Sequence, residues 1–169
     1  MNSHMRLQKE DDIHVNLRRA FIRGANLARA SLVGANFEGA DCAGSDFSEV
    51  NATGAQFSNA KLQNAIFHAS TLVGVNFSNC VAVEANFTLA KMVGVNFSRA
   101  ILRNVDFSNS EMTGVNFFNA DLKGANLTNV VITGANLSAA NLSEVIGLTT
   151  SQILSAETNE TTILPELLA

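Results

Sequence analysis

The sequence has no tryptophan and no tyrosine, so its 11 phenylalanines are its only aromatic residues. Proline occurs once and cysteine twice in 169 residues, and only 15% of the residues are charged. Because 47% of the residues are hydrophobic and so few are charged, the composition excludes a disordered chain. No apolar run approaches the roughly 20 residues that a membrane helix needs. We therefore expect one folded domain that does not enter a membrane.

Residues 1–14 also lack the apolar core that a secretory signal requires. We therefore expect the chain in the cytoplasm; the alternative is the periplasm or the thylakoid lumen, if a signal has been removed. His4 and Met5 are typical of a cloning-site remnant, so residues 1–5 are left out of the fold prediction.

The formal net charge of −4 is distributed unevenly along the chain. Residues 15–144 hold nine basic and nine acidic side chains, whereas residues 145–169 hold three glutamates and no basic residue. A neutral body has neither the basic footprint of a nucleic-acid-binding protein nor the acidic surface of a nucleic-acid mimic. We therefore expect no nucleic-acid partner.

A five-residue repeat runs from residue 15 to residue 144 without an insertion. The central position is apolar in all 26 units, and the residue two places before each centre is always Ala, Ser, Val or Cys. A period of five fits neither a helix nor a strand. The chain must therefore turn a corner in each unit, and the centres and small residues must face one shared interior.

Phenylalanine occupies every second centre along the middle of the repeat. If four units close one square coil, this alternation places the rings on two opposite sides. A triangular coil of three units would mix the rings with smaller centres on every side. The predicted core rings are Phe37, Phe47, Phe57, Phe67, Phe77, Phe87, Phe97, Phe107 and Phe117.

A column of glycines recurs in every fourth unit, at the last position of that unit. Glycine permits positive φ, which a type II turn requires at its third residue. We predict type II corners at these glycines and another turn type where Arg29, Glu49, Glu84, Leu89 or Arg99 takes the same place. The turn glycines are Gly34, Gly54, Gly74, Gly94, Gly114 and Gly134.

Units such as Gly34-Ala35-Asn36-Phe37 and Gly134-Ala135-Asn136-Leu137-Ser138 match the motif A(D/N)LXX. In these units the chain resembles the pentapeptide-repeat proteins, over about three quarters of its length. The resemblance implies an all-β solenoid, a right-handed quadrilateral β-helix, and 26 units would give about 6.5 coils. The ending Thr162-Ile163-Leu164-Pro165 is similar to the C-termini of cyanobacterial members of the family.

The chain divides into three predicted segments. Residues 1–14 form an N-terminal tail or cap, residues 15–144 form the repeat solenoid, and residues 145–169 form a short α-helical cap with an extended tail. Thr150 or a neighbour can serve as the N-cap of that helix. Cys42 and Cys80 occupy inward positions that are nearly two coils apart, which exceeds the reach of a disulfide. We predict two free, buried and inert thiols.

The repeat offers no set of residues suited to catalysis. The inward positions are apolar except for Ser45, Ser70 and Ser110, which lie in different coils without an inward base. No metal-ligand spacing and no phosphate-binding loop occur. We therefore expect a protein that is not an enzyme and has no catalytic, cofactor-binding or metal-binding residues.

The outward positions carry two candidate interaction surfaces. Val81, Val83 and Ile101 fall on one side in adjacent coils and would form a compact apolar patch. On the glycine-column side, β-branched residues form a straight stripe, which fits either strand propensity or a flat docking face. The valines of this stripe are Val33, Val73 and Val93.

These features predict a non-enzymatic interaction scaffold with an unidentified protein partner, as a monomer or an end-to-end dimer. The alternative comes from the family resemblance, because some pentapeptide-repeat proteins mimic duplex DNA and protect or modulate DNA gyrase. The zero net charge of residues 15–144 disfavours it. Arg18, Arg19, Arg23 and Arg29 cluster near the first coils, as a solvated rim or as a site for an anionic partner.

Overall fold

A computed structural model describes residues 15–166 of the chain, so the predicted N-terminal segment 1–14 and residues 167–169 lie outside the described residues. Each five-residue unit from residue 15 to residue 144 contains one turn. Residues four units apart pair through isolated parallel bridges, from Asn16 with Asn36 to Asn126 with Ile146. The chain is therefore a solenoid of stacked five-residue units.

Because each unit turns once and the pairing joins every unit to the fourth one after it, four units make one coil and the units stack into four sides. We number the sides by their central residues, so that side 1 is opposite side 3 and side 2 is opposite side 4. The centres are residues 17, 37 and onward to 137 on side 1, residues 22 to 142 on side 2, residues 27 to 127 on side 3, and residues 32 to 132 on side 4.

Backbone hydrogen bonds between coils follow the same pattern on every side. The Phe57 N–H donates to the Asn76 carbonyl at 2.7 Å, and the Asn76 N–H donates back to the Ala55 carbonyl at 3.0 Å. At the corner, the Gly54 N–H donates to the Val73 carbonyl at 2.9 Å. Each coil thus supplies hydrogen-bond partners for the N–H and carbonyl groups of its neighbours, which a buried backbone requires.

The two predicted phenylalanine ladders are confirmed, one on side 1 and one on side 3. On side 1, the rings of Phe37 and Phe57 stack with centroids 4.5 Å apart, and those of Phe77 and Phe97 stack at 4.9 Å. The ladders also touch each other, since Phe77 meets Phe87 edge to face at 5.6 Å. All nine rings are buried, so the ladders fill the shaft between the two sides.

The prediction of a different turn at the positions without glycine is wrong. Arg29 has a φ of +64°, Leu89 of +59° and Arg99 of +59°, against +65° at Gly74. Glu49 and Glu84 are likewise left-handed, at +56° and +58°. The reason is stacking, because the N–H of each such residue must reach a carbonyl of the next coil to keep the ladder intact. Inter-coil pairing therefore overrides a local cost of about 1–2 kcal/mol per residue.

The only helix within the described residues is α1, Thr150–Leu154. Its N-cap is Thr149, whose N–H donates to Gln152 Oε1 at 2.7 Å while its side chain accepts from the Gln152 N–H at 3.3 Å. Gln152 Nε2 donates to the Val130 carbonyl at 3.0 Å. Within residues 15–166 no helix has both the length and the apolar character that crossing a membrane requires.

After α1 the chain returns to the last coil of the repeat. The Glu157 N–H donates to the Ala135 carbonyl at 2.8 Å, and the Ile163 N–H donates to the Ala140 carbonyl at 2.9 Å. Leu148, Ala156 and Leu164 pack against the core. Residues 146–163 thus continue the backbone pairing beyond the repeat, although the helix breaks the five-residue phase.

Candidate interaction surfaces

Val81, Val83 and Ile101 lie together on side 2, and we call them the side 2 patch. Val81 pairs directly with Ile101 of the next coil, and the Ala82 N–H donates to the Ile101 carbonyl at 2.8 Å. Ile101 is 38% exposed, while Val81 and Val83 are half-buried. Because they flank core positions in alternation, their apolar surface faces outward together.

Charged residues border the side 2 patch along the solenoid axis. Lys61 pairs with Val81 from the preceding coil, and Asp121 pairs with Ile101 from the following coil. Arg103 Nε lies 2.5 Å from Asp121 Oδ2, so this carboxylate is already neutralised. The patch therefore has an apolar centre and a polar border, the arrangement found in protein–protein interfaces.

Val33, Val73 and Val93 lie on side 4 beside the glycine column. The Gly54 and Gly74 N–H groups donate to the Val73 and Val93 carbonyls at 2.9 and 3.0 Å, so consecutive coils are in register. Val33 is 45% exposed, and Val73 and Val93 are half-buried. A Cβ built on Gly74 would meet nothing within 4 Å, which leaves the corner open and flat.

The structure places the two candidate surfaces on opposite sides of the solenoid. Val81 belongs to side 2 and Val73 to side 4, with the ladders of sides 1 and 3 between them. A single flat partner cannot contact both surfaces. The stripe and the patch are therefore separate candidate sites.

Three of the four arginines near the first coils are paired with carboxylates. Arg18 Nε lies 3.1 Å from Glu38 Oε2, Arg23 Nη1 lies 3.3 Å from Asp41 Oδ2, and Arg29 Nη2 lies 3.2 Å from Glu49 Oε1. The hydrogen bond from Arg18, and then its charge, lower the pKa of the Glu38 carboxyl. Together these pairs neutralise three of the four positive charges of the cluster.

The three buried serine hydroxyls donate hydrogen bonds to backbone carbonyls. The Ser45 hydroxyl donates to the Ile22 carbonyl, Ser70 to Phe67 and Ser110 to Phe107, each at 2.6 Å. Among residues 15–166 no group of three or more His, Cys, Asp or Glu could hold a metal ion. These serines therefore have structural roles.

The prediction of two free, buried thiols is confirmed for Cys42 and Cys80. Burial, and then the charge of Asp41, raise the pKa of the Cys42 thiol to about 12. Burial also raises the pKa of the Cys80 thiol. Both sulfurs are thus protonated at neutral pH, which disfavours nucleophilic and redox chemistry.

Some exposed apolar residues lie outside the surfaces that the sequence predicts. Val131, Ile146 and Ile163 are exposed apolar residues near the C-terminal end of the solenoid. Ile146 pairs with Asn126, so counting four units onward from an outward position would have identified it. Ile163 pairs with Asn141 only because α1 shifts the phase, and no count along the chain shows this.

Stacked five-residue units around a phenylalanine-filled shaft define this molecule as a solenoid repeat protein. The model for pentapeptide repeats, in 8 copies, matches residues 13–41 and 30–68, and the model for a pentapeptide repeat region matches residues 83–162. The chain therefore belongs to the pentapeptide-repeat family. No protein of curated function matches it in sequence.

Solved structures of similar chains include family members from plants and cyanobacteria. A pentapeptide repeat protein from the Arabidopsis thaliana thylakoid lumen is 31% identical, with 69% of this chain and 73% of that chain covered and a TM-score of 0.35. HetL, involved in heterocyst differentiation regulation in Nostoc sp. strain PCC 7120, is 21% identical over 90% and 86%, with a TM-score of 0.33. QnrB1, a plasmid-mediated fluoroquinolone resistance protein, is 19% identical over 90% of each chain, with a TM-score of 0.37.

Proposed function

We propose that this protein is a non-enzymatic scaffold that binds a protein partner through the side 2 patch. The observation that carries the proposal is the direct pairing of Val81 with Ile101 in adjacent coils, bordered by Lys61 and by the Arg103–Asp121 ion pair. Backbone hydrogen bonds between coils hold this surface rigid. Binding of a partner would therefore order few side chains and little main chain of this protein. A preorganised surface loses less entropy on binding.

The absence of an enzymatic role is part of this proposal. It is supported by the hydroxyls of Ser45, Ser70 and Ser110, which are committed to carbonyl oxygens, and by the protonated thiols of Cys42 and Cys80. These are the inward groups that nucleophilic chemistry would need.

Site-specific photo-crosslinking in the source cell tests the docking surface. A benzophenone amino acid placed at position 101 should give a discrete adduct, and the adduct should disappear when Val81→Glu is added. The matched control places the same group at Thr53 on side 4, with Val73→Glu as the second change. Val81 and Val73 are both half-buried valines on outward positions, and they lie on opposite sides of the solenoid. Equal adducts from both sides, or none from position 101, would refute the proposal.

We also propose that the solenoid is right-handed, comprises about 6.5 coils, and is capped by α1 and the residues that follow it. The hydrogen bonds from Gln152, Glu157 and Ile163 to carbonyls of the last coil support the cap. Without these donors and the packing of Leu148 and Leu164, the last coil would expose apolar side chains and open backbone groups. A chain ending at Glu144 should therefore unfold at lower denaturant concentration and self-associate. Unchanged stability and a monomeric state would refute the cap.

The alternative, a DNA mimic that modulates or protects DNA gyrase, requires an extended acidic surface. Side 2 instead carries Arg103, Lys61 and Lys123, which oppose such mimicry. A supercoiling assay decides the point, because inhibition of gyrase or rescue from a gyrase poison by the purified chain would favour this alternative over the scaffold.

A further inference from the structure

Within the repeat, residues 15–144, six of the eight charges that form no ion pair among the described residues are segregated by sign between two adjoining sides. Among residues 15–166, the cations without a carboxylate within 4.0 Å include Arg19, Lys61 and Arg99. Lys61 lies on side 2, and Arg19 and Arg99 are the last residues of side 1 units, at the corner where side 1 meets side 2. The corresponding unpaired anions on side 3 or on its corner with side 2 are Asp46, Glu84 and Asp106.

Two further unpaired charges, Lys91 and Glu111, are direct neighbours on side 4 and offset each other. The zero net charge of the repeat thus conceals a basic side beside an acidic one. Side 2 with its side 1 corner holds six basic and two acidic residues, and side 3 with its side 2 corner holds four acidic and no basic ones.

Side 3 also has an apolar centre between its acidic residues. Ile66 is 37% exposed and pairs with Asp46 in one direction and with Asn86 in the other, and Asn86 pairs with Asp106. Leu89, at the corner of the next coil, is 56% exposed. Side 3 therefore repeats the plan of side 2, an apolar centre bordered by charge, but with the opposite sign.

We propose that side 2 of one copy binds side 3 of a second copy, and this inference rests on the proposed docking role of side 2. The apolar centres would meet, and Lys61 and Arg99 would approach Asp46 and Asp106, which have no ion-pair partner among residues 15–166 of their own chain. Opposite charges across an interface steer association and fix its register.

The geometry of this contact is head-to-tail. Because sides 2 and 3 adjoin at a corner, the two copies use different surfaces, and each copy keeps one docking side open. Such a heterologous contact closes into a ring or continues as an open series. It differs from an end-to-end dimer, in which two copies would meet at an end of the solenoid.

Sedimentation velocity over a concentration series tests the contact with the full chain. At low ionic strength the average mass should rise with concentration above that of the monomer. High salt should return it to the monomer, because exposed charges are screened within about 10 Å at 0.1 M salt. A chain that stays monomeric at every concentration and salt level overturns the proposal.

Charge reversal on each side supplies the decisive comparison. Lys61→Glu with Arg99→Glu removes the excess of positive charge on side 2, and Asp46→Lys with Asp106→Lys removes the excess of negative charge on side 3. Each variant alone should associate at least tenfold more weakly than the natural chain. An equimolar mixture should associate again, since each variant then supplies the side that the other lacks. Lys91→Glu on side 4 is the control and should leave association unchanged. A mixture that stays monomeric, with both variants shown folded by circular dichroism, refutes the pairing.

The crosslinker at position 101 separates this inference from the proposed function. An adduct of twice the monomer mass supports pairing between copies. An adduct with a different protein overturns it and leaves the docking role of side 2 standing. No adduct of either kind refutes both.

Discussion

Removing one ring from the middle of a phenylalanine ladder tests whether the ladders stabilise the solenoid. Phe77 is fully buried and stacks on Phe57 and Phe97 with centroids 5.0 and 4.9 Å away. It also meets Phe67 and Phe87 edge to face at 5.5 and 5.6 Å. Phe77→Ala therefore removes four ring contacts and opens a cavity that the stacked backbone cannot close. We expect it to lower the free energy of unfolding by an amount near the upper end of about 3–5 kcal/mol.

Phe117, the last ring of the same ladder, provides the internal comparison. It is also buried, but it stacks only on Phe97, at 5.4 Å, and meets only Phe107 edge to face, at 5.9 Å. Two fewer ring pairs at about 0.5–1.5 kcal/mol each make Phe117→Ala less destabilising than Phe77→Ala by about 1–3 kcal/mol. The adjacent Phe118 is 40% exposed, and its replacement by alanine should cost about 0.5 kcal/mol or less.

Urea unfolding followed by far-ultraviolet circular dichroism measures all three variants, because the chain has no tryptophan or tyrosine for fluorescence. The slopes of the transitions must agree, so that differences in midpoint report stability and not a change in cooperativity. If Phe117→Ala cost as much as Phe77→Ala, ring contact would not be the source of the stability. If Phe77→Ala cost no more than Phe118→Ala, the ladders would be incidental to the fold.

Three further predictions concern the corners and the thiols. Ala69→Gly should raise the free energy of unfolding by about 0.5–1 kcal/mol, because Ala69 is held at a φ of +53°. Ala43→Gly is the control at a position where φ is not positive, and it should lower the free energy of unfolding. The same urea assay compares the two variants. Gly147→Ala should cost more than Gly74→Ala, since an added Cβ at Gly147 lies 2.6 Å from Thr128 Cα whereas one at Gly74 meets nothing within 4 Å; equal costs would show that the C-terminal segment is not held against the last coil. The Cys42 thiol should resist a thiol reagent at neutral pH until the chain is unfolded, and fast labelling of the folded chain would contradict this. Burial raises the pKa of this thiol from 9.0 to about 12. Its contribution to the free energy of unfolding is therefore complete below pH 9.0 and is lost as the pH rises toward 12.

The core could be predicted from the sequence because one number, the period of five, fixes both the turns and the side that each residue occupies. Once four units close a coil, Phe57 must lie over Phe37 and Phe77 over Phe57. The contact between the two ladders, such as that of Phe77 with Phe87, was not predicted, because it depends on the width of the shaft and on ring orientation. Spacing along the chain contains neither quantity.

The turns show where local propensity misled the prediction. Leu89 and Arg99 are poor residues for positive φ, and taken alone each favours another turn. In the solenoid their N–H groups donate to the Ser108 and Phe118 carbonyls of the next coil, at 3.2 and 2.9 Å. A different turn at one corner would disrupt the pairing of the coils on both sides of it. Cooperative stacking therefore imposes one backbone shape on every corner.

For a related reason, the sequence indicates where the candidate surface residues lie but not which of the charges around them form ion pairs. Counting by four units brings Val81 beside Ile101 and would also have separated basic from acidic residues by side. It does not give the ion pairs, because Arg18 reaches Glu38 at the equivalent position of the next coil, whereas Arg103 reaches Asp121 at a different position of the next coil. Whether a charged residue forms an ion pair depends on how far its side chain extends, along a side or across a corner, toward an opposite charge in the next coil.

This dependence explains why the net charge did not indicate how charge is distributed over the sides of the solenoid. A sum of zero over residues 15–144 excludes a uniformly basic or acidic surface, but it does not describe a column with one basic and one acidic side. In a solenoid every fifth residue returns to an equivalent position and every fourth unit to the same side, so charges of one sign can accumulate on a side without changing the total. The relevant quantity is therefore the charge of each side after ion pairing, and for this chain it places unpaired cations and unpaired anions on adjoining sides.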